Sequence, residues 1–312
     1  MCRTRGRVKE ERLLNQRLKK ILVPLDGSDL AEEALDTALA LAAAHGTELH
    51  LVCVVSNVPW IEEEKAKARE YLDRTADKVS SDSRGVSVTT HVLVGRAGPA
   101  VRQVAAELEA DLLVLTTHGR GTFKRAWLGS TADYLIREVE QPLLVLRHRE
   151  RGLRTTDPHL ISHVLVPLDG SDAAECALKE LPMVLPPDGV ARVTLAYVVE
   201  EGYPIPISIP ATISGESLRE QCRLQAEVYL QGVADRLKLD GFKVVETRVL
   251  TDDHPSRAIL RFCDEEGVHL VAISTHGRGG VSRLFLGSVA DKLVRGASVP
   301  VLVARRPSDD RE

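Results

Sequence analysis

The segment "LTTHGRGTFKRAWLGS", Leu115–Ser130, returns as "ISTHGRGGVSRLFLGS", Ile273–Ser288, 158 residues further on. Upstream of each lies a second duplicate, "VPLDGSD", at Val23–Asp29 and at Val166–Asp172, offset by 143. Tyr71 and Tyr229 already keep the offset of 158, as do Pro142 and Pro300, so the second copy gains 15 residues before Tyr229. The stretch "GYPIPISIPATISG", Gly202–Gly215, is the obvious candidate for the gain. Its proline spacing opposes both helix and central strand, so it reads as a surface excursion, a lid or a contact loop. A duplication on this scale means two copies of one folding unit.

Each copy alternates between strand and helix. "KILVPL" is a short apolar run, and Asp29 to Ala44 carries apolar residues at i, i+3, i+4 and i+7. "LHLVCVV", "VSVTTHVLV", "DLLVLTT" and "PLLVLR" supply four more strands; Glu62–Ser81, Ala100–Ala110 and Ser130–Glu140 supply the helices between them. The second copy repeats the order. This is an α/β pattern of two tandem doubly wound domains, each a five-stranded, mostly parallel sheet with helices on both faces. The expected boundaries are a basic N-terminal extension over 1–19, a first domain over 20–150, a charged linker over 151–161, and a second domain over 162–306 that contains the loop 202–215.

Bulk properties exclude several functions. The 312 residues suit two domains of about 150 residues. A net charge of −4 gives no field for nucleic acid, and only 4% of residues are aromatic, too few for a base-stacking platform. No apolar run reaches the ~20 residues of a membrane span, and the N-terminus lacks a secretory apolar region. Five scattered cysteines, none in a C-x-x-C pair, point to reduced thiols and a cytoplasmic location. Cys53, Cys176 and Cys263 read as small core residues.

Ligands of doubly wound sheets sit beyond the carboxyl ends of the strands, where the strand order reverses. A flavodoxin-like order 3-2-1-4-5 would set strands 1 and 4 side by side there, so that "PLDGSD" and "THGRG" face one crevice. Gly119 and Gly121 allow close backbone approach, and Gly129–Ser130 opens a helix whose free N–H groups suit a phosphate. Arg120, Lys124 and Arg125, with Arg278 and Arg283 in the second copy, add cations. Asp26 and Asp169 can accept a sugar-edge hydroxyl. Plainer readings stand beside these. Ser130-x-x-Asp133, Ser288-x-x-Asp291, Asp29-x-x-Glu32 and Asp172-x-x-Glu175 all fit capping boxes, and Gly27 and Gly170 fit turns. His118 and His276 lack the carboxylate and nucleophile of a catalytic base. No catalytic residue and no protein metal ligand is expected.

Over Lys20–Arg147 and Ser162–Arg305 the chain resembles the universal stress protein family in its tandem form. The family's nucleotide pattern is Gly, two residues, Gly, nine residues, then Gly-Ser or Gly-Thr. Gly119, Gly129 and Ser130 match its later part, as do Gly277, Gly287 and Ser288, and "QPLLVLR" and "VPVLVAR" resemble its last strand. The resemblance implies ATP or AMP, with Mg2+ on the phosphates. It implies contacts from Pro24, Asp26, Val54, Thr116, His118, Gly119, Arg120, Gly129 and Ser130. In the second copy these become Pro167, Asp169, Val198, Ser274, His276, Gly277, Arg278, Gly287 and Ser288. Thr116 and Ser274 depart from the pattern by standing where its first glycine would be; a side chain there either crowds the ligand or adds a hydroxyl hydrogen bond.

The resemblance also implies pairing of the two domains through their last strands within one chain, with a homodimer of chains left open. The expected function is a stress-response sensor or regulator that binds an adenine nucleotide and an unknown protein partner. The alternatives are a slow ATPase or nucleotidyl-transferring enzyme and a nucleotide-free scaffold. Against the enzyme stand the absence of a G-x-x-x-x-G-K-[ST] loop and of a paired His-x-Gly-His.

Overall fold

The computed structural model describes residues 18–82, 85–117, 128–147, 161–200, 215–275 and 286–305. In the first half the chain runs through β1 (Lys20–Leu25), α1 (Asp29–His45), β2 (Glu48–Val55), α2 (Ile61–Asp82), β3 (Val88–Val94), α3 (Ala97–Glu107), β4 (Leu112–Thr116), α4 (Ser130–Glu138) and β5 (Leu143–Leu146). The second half repeats the series as β6 (His163–Leu168), α5 (Asp172–Val184), β7 (Arg192–Val199), α6 (Gly215–Leu239), β8 (Val245–Thr251), α7 (Pro255–Glu265), β9 (Leu270–Ser274), α8 (Ser288–Gly296) and β10 (Val301–Ala304).

The ten strands form one sheet in the order β3-β2-β1-β4-β5-β10-β9-β6-β7-β8. Within each half every neighbour is parallel, giving the expected 3-2-1-4-5 winding twice. The halves meet where β5 pairs antiparallel with β10: Leu144 faces Leu302, flanked by Leu143·Val303 and Val145·Val301. Leu302 is the 158-offset counterpart of Leu144, so a pseudo-two-fold axis passes through this pair.

Alternation along the strands builds two cores. Ile21, Val23, Leu49, Leu51, Leu112 and Val114 join their second-half counterparts under α1, α2, α5 and α6. Leu22, Val52, Leu113, Leu115 and Val145 do so under α3, α4, α7 and α8. Each core runs unbroken across the axis. Burial of strand residues on both faces is why the strands read as continuous apolar runs. Cys53, Cys176 and Cys263 are buried, and no disulfide forms among the described residues; Cys222 is exposed. Burial pushes the Cys263 thiol up to about 12.

Several helix starts differ from the sequence expectation. Helix α3 begins at Ala97, three residues before the expected Ala100, because Pro99 in its first turn has no N–H to leave unpaired. It gives way at Leu108, and Glu109 takes a φ of 51°. The cap of α1 is Ser28, not Asp29: Ala31 N–H donates to Ser28 Oγ at 3.2 Å. Ser171 does the same for Ala174 at 3.2 Å in α5. Helices α4 and α8 are capped by Gly129 and Gly287, without a side-chain cap bond, so Ser130 and Ser288 are first helical residues rather than caps.

Charged groups close the axis. Arg137 pairs with Asp133 at 3.0 Å and reaches Asp291 at 3.9 Å; Arg295 pairs with Asp291 at 2.9 Å and with Asp133 at 3.1 Å. Arg147, after β5, donates to the Arg295 carbonyl at 2.6 Å. Arg305, after β10, donates to the Arg137 carbonyl at 3.3 Å and to those of Leu135 and Ile136. Each half thus supplies an arginine to the C-terminal carbonyls of the other half's helix, where a cation also suits the helix dipole.

Candidate functional site

Strands β1 and β4 lie side by side, as do β6 and β9, so the strand ends that lead into the two duplicated motifs share one carboxyl edge in each half. At the end of β1 a tight turn is built from three residues. Asp26 Oδ1 accepts from Ser28 N–H at 3.0 Å and from the Ser28 hydroxyl, and Gly27 takes a left-handed φ of 79°. Asp169, Gly170 (φ 84°) and Ser171 repeat it. Left-handed backbone is why glycine stands there. The aspartate is therefore first a turn-former that sets Ser28 as the helix cap.

Across from this turn, the end of β4 is tied to the start of α4. Gly129 N–H donates to the Thr117 carbonyl at 2.7 Å, and Gly129 O accepts from Asp133 N–H at 2.8 Å. Gly287 does the same with Thr275 at 2.9 Å and Asp291 at 2.9 Å. A Cβ on Gly287 would stand 3.3 Å from the Thr275 carbonyl oxygen, a tight contact that glycine avoids where the strand end and helix start come together. The glycine N–H is committed to the strand and no side-chain cap forms among the described residues, so the first turns of α4 and α8 begin beside exposed Ser130 and Ser288.

The expected site residues divide by face. Val54 and Val198 pack against the core under α3, α4, α7 and α8, the same side as the two serine-headed helices. Alternation puts Pro24 and Pro167 on that side too, since Leu22 and Leu165 belong to it. Thr116 and Ser274 follow Leu112, Val114, Leu270 and Ala272 to the opposite face, over which α1 and α5 pack. The side chains that replace the pattern's first glycine are thus turned away from the helix-start side. Ser274 Oγ is sealed from solvent without a hydrogen-bond partner. His118, Gly119, Arg120, Gly121, Lys124, Arg125, His276, Gly277, Arg278 and Arg283 lie outside the described residues, as do most of the N-terminal extension, the linker and the loop 202–215.

Two features escaped sequence reasoning. Tyr71 donates to Glu32 at 3.0 Å and Tyr229 to Glu175 at 3.0 Å, stapling the second helix of each half to the first; burial and the carboxylate hold both phenols above their usual range. The Asp133–Arg137 and Asp291–Arg295 pairs were likewise unread, although each keeps the 158 offset at i, i+4 spacing. Among the described residues no group of three His, Cys, Asp or Glu side chains can hold a metal ion, and no helix is long and apolar enough to cross a membrane.

The sequence model of the universal stress protein family matches residues 17–147 and again 161–305. The chain belongs to this family. A universal stress protein of Mycobacterium tuberculosis is 29% identical over 322 residues, covering 93% of this chain and 96% of that protein. One from Mycolicibacterium smegmatis is 27% identical over 298 residues, covering 91% and 96%. Among solved structures, a universal stress protein from Archaeoglobus fulgidus superposes with a TM-score of 0.68 at 20% identity, covering 92% of this chain and 98% of that one. At that identity the likeness is one of fold. The relatives match over nearly their whole length, so the tandem arrangement is common to both.

Proposed function

We propose that this universal stress protein binds an adenine nucleotide, ATP or AMP, at the carboxyl edge of each half and acts as a nucleotide-responsive regulator of the stress response. The observation that carries the reading is the meeting, twice in one chain, of a strand-end turn (Asp26, Asp169) with a glycine-pinned helix start (Gly129–Ser130, Gly287–Ser288) on neighbouring strands. A helix start of this kind favours phosphate through its free N–H groups and its dipole. Val54 and Val198 supply apolar surface on the same side for a base. In this reading Mg2+ is carried by the phosphates, and a protein partner reads the occupied state.

The test is direct. Protein purified without added nucleotide is extracted and the extract analysed for adenine nucleotide; the protein is then titrated with ATP and with AMP by calorimetry. Bound nucleotide, or saturable binding with a rise in thermal midpoint, is the expected result. An empty extract with no heat and no thermal shift would sink the proposal. Phosphate release at multiple turnovers per second would replace the regulator by an enzyme.

A further inference from the structure

A pair of histidines lies at the opposite end of the first half's sheet from the candidate nucleotide edge. His50, near the start of β2, is 5% exposed, and His91 sits on β3, the outermost strand. His50 Nδ1 and His91 Nε2 are 3.0 Å apart, with the rings stacked at 5.2 Å between centroids. A neutral pair at that distance shares one hydrogen between the facing nitrogens. The far nitrogen of His50, Nε2, is sealed from solvent without a hydrogen-bond partner, 3.5 Å from a Glu48 carboxylate oxygen.

We propose that His50 and His91 form an acid-operated latch on edge strand β3, closed while the pair holds at most one positive charge and released when both rings are protonated. The first added proton is tolerated: a cationic ring still donates to the neutral one, and Glu48 faces His50. The second is not. Both facing nitrogens then carry hydrogens, so two N–H groups of like charge oppose each other 3.0 Å apart. The charges acting on the pair are Glu48 on β2, which favours protonation of His50, and Lys20 on β1, which opposes it. Burial holds both rings below the ordinary histidine value, and the neighbouring His50 lowers His91 further. The latch therefore opens below pH 6.5, after the free side chain would have titrated.

The second half lacks it. By strand register, Thr194 and Arg248 stand where His50 and His91 stand, and Arg192 replaces Glu48. Its buried histidine, His163, instead bonds Thr194 at 2.9 Å. Among the described residues of that half, no two titrating rings stand nitrogen to nitrogen between the edge strand and its neighbour. β3 also carries no Lys, Arg, Glu, Asp or Pro within Val88–Val94, the usual guards of an edge, so releasing it bares unprotected strand surface. The released strand ends at Val94, which pairs with Val55 beside Val54, so acid would also loosen one wall of the first nucleotide edge.

Amide hydrogen exchange on the full chain tests this, with β8 as the internal control. Between pH 7.5 and pH 5.0, after correction for intrinsic exchange, protection across 88–94 is expected to fall by about tenfold or more while 245–251 stays unchanged. The double substitution His50→Thr with His91→Arg, which installs the second half's residues, is expected to abolish the difference. His91→Gln alone keeps a hydrogen-bond partner for His50 and should abolish it as well, even if the double variant fails to fold. Equal loss in both strands, or an acid response that survives His91→Gln, would overturn the latch. The outcome does not depend on whether nucleotide binds.

Discussion

Gly98 sits in the first turn of α3, against the stem of Tyr134 on α4. A Cβ built there would lie 2.5 Å from Tyr134 Cδ1, 2.7 Å from Cγ and 3.1 Å from Cβ. Two effects of Gly98→Ala compete. Alanine is favoured over glycine in a helix by roughly 0.5–1 kcal/mol. Overpacking a close contact costs about 1–3 kcal/mol. The atoms met are the base of the ring rather than a free tip, so Tyr134 cannot swing clear without leaving its rotamer or moving α4. The clash should win, with a net loss of about 1–2 kcal/mol. Urea unfolding measures it. The second half supplies the control, because Ser256 and Lys292 occupy the equivalent places on α7 and α8, a larger residue facing a flexible one. In a Tyr134→Lys background, therefore, Gly98→Ala should cost nothing or stabilise slightly, a coupling of about 1–2 kcal/mol between the positions. A stabilising Gly98→Ala in the native background, or strictly additive effects, would refute the packing argument.

Other perturbations follow the same logic. Ser28→Ala removes the side-chain cap of α1 and should cost about 1 kcal/mol, with Ser171→Ala costing the same in α5; equal urea midpoints for wild type and variants would show the caps to be idle. Burial pushes the Glu180 carboxyl on α5 up to about 7 from 4.5. A raised carboxyl favours the protonated fold, so its contribution is present below pH 4.5 and lost as pH rises through 7. Glu180→Gln should therefore stabilise by about 1–3 kcal/mol at pH 8 and leave stability at pH 4 unchanged, read as the difference between two denaturation curves.

The winding was legible because both halves repeat it. Strand runs such as "LLVL" and "KILVPL" are apolar throughout only when a sheet is covered on both faces, and the position of two motifs after strands 1 and 4 implied that those strands touch. Helix starts were less legible. Asp29 and Ser28 are both good caps by type, and only the bonds that Ser28 donates to Asp26 and accepts from Ala31 decide between them. Ser130 fits a cap by type as well, but the Gly129 carbonyl accepts the first helical bond, from Asp133 N–H, and makes Gly129 the cap. Whether Thr116 and Ser274 crowd a ligand or bond to it is not legible in a motif, because a motif carries no faces; the period of two along the strand sets both side chains on the face over which α1 and α5 pack. The dyad arginines were invisible for a different reason. Arg147 and Arg305 act on carbonyls more than a whole domain away in sequence, and no local pattern marks such a partner.

That dyad has a consequence for the isolated first half. Residues 17–147 alone would leave β5, buried along its whole length, as an open edge with Leu143–Leu146 exposed to water. The partner it loses is its own counterpart. A second copy of the same fragment can place Leu144 against Leu144 and Leu143 against Val145, differing from the native register by one valine become leucine. Asp133 and Arg137 then meet their equivalents as they now meet Asp291 and Arg295, and Arg147 finds the Arg137 carbonyl in place of the Arg295 carbonyl. The fragment should therefore sediment as a dimer. Asp133→Arg should weaken it, because the axis then removes both aspartates from among the arginines, whereas the same change in the full chain keeps Asp291 between them. A fragment that stays monomeric with a protected β5 would mean that the halves are independent domains joined by chance contact, and that the continuity of the two cores across the axis contributes nothing to stability.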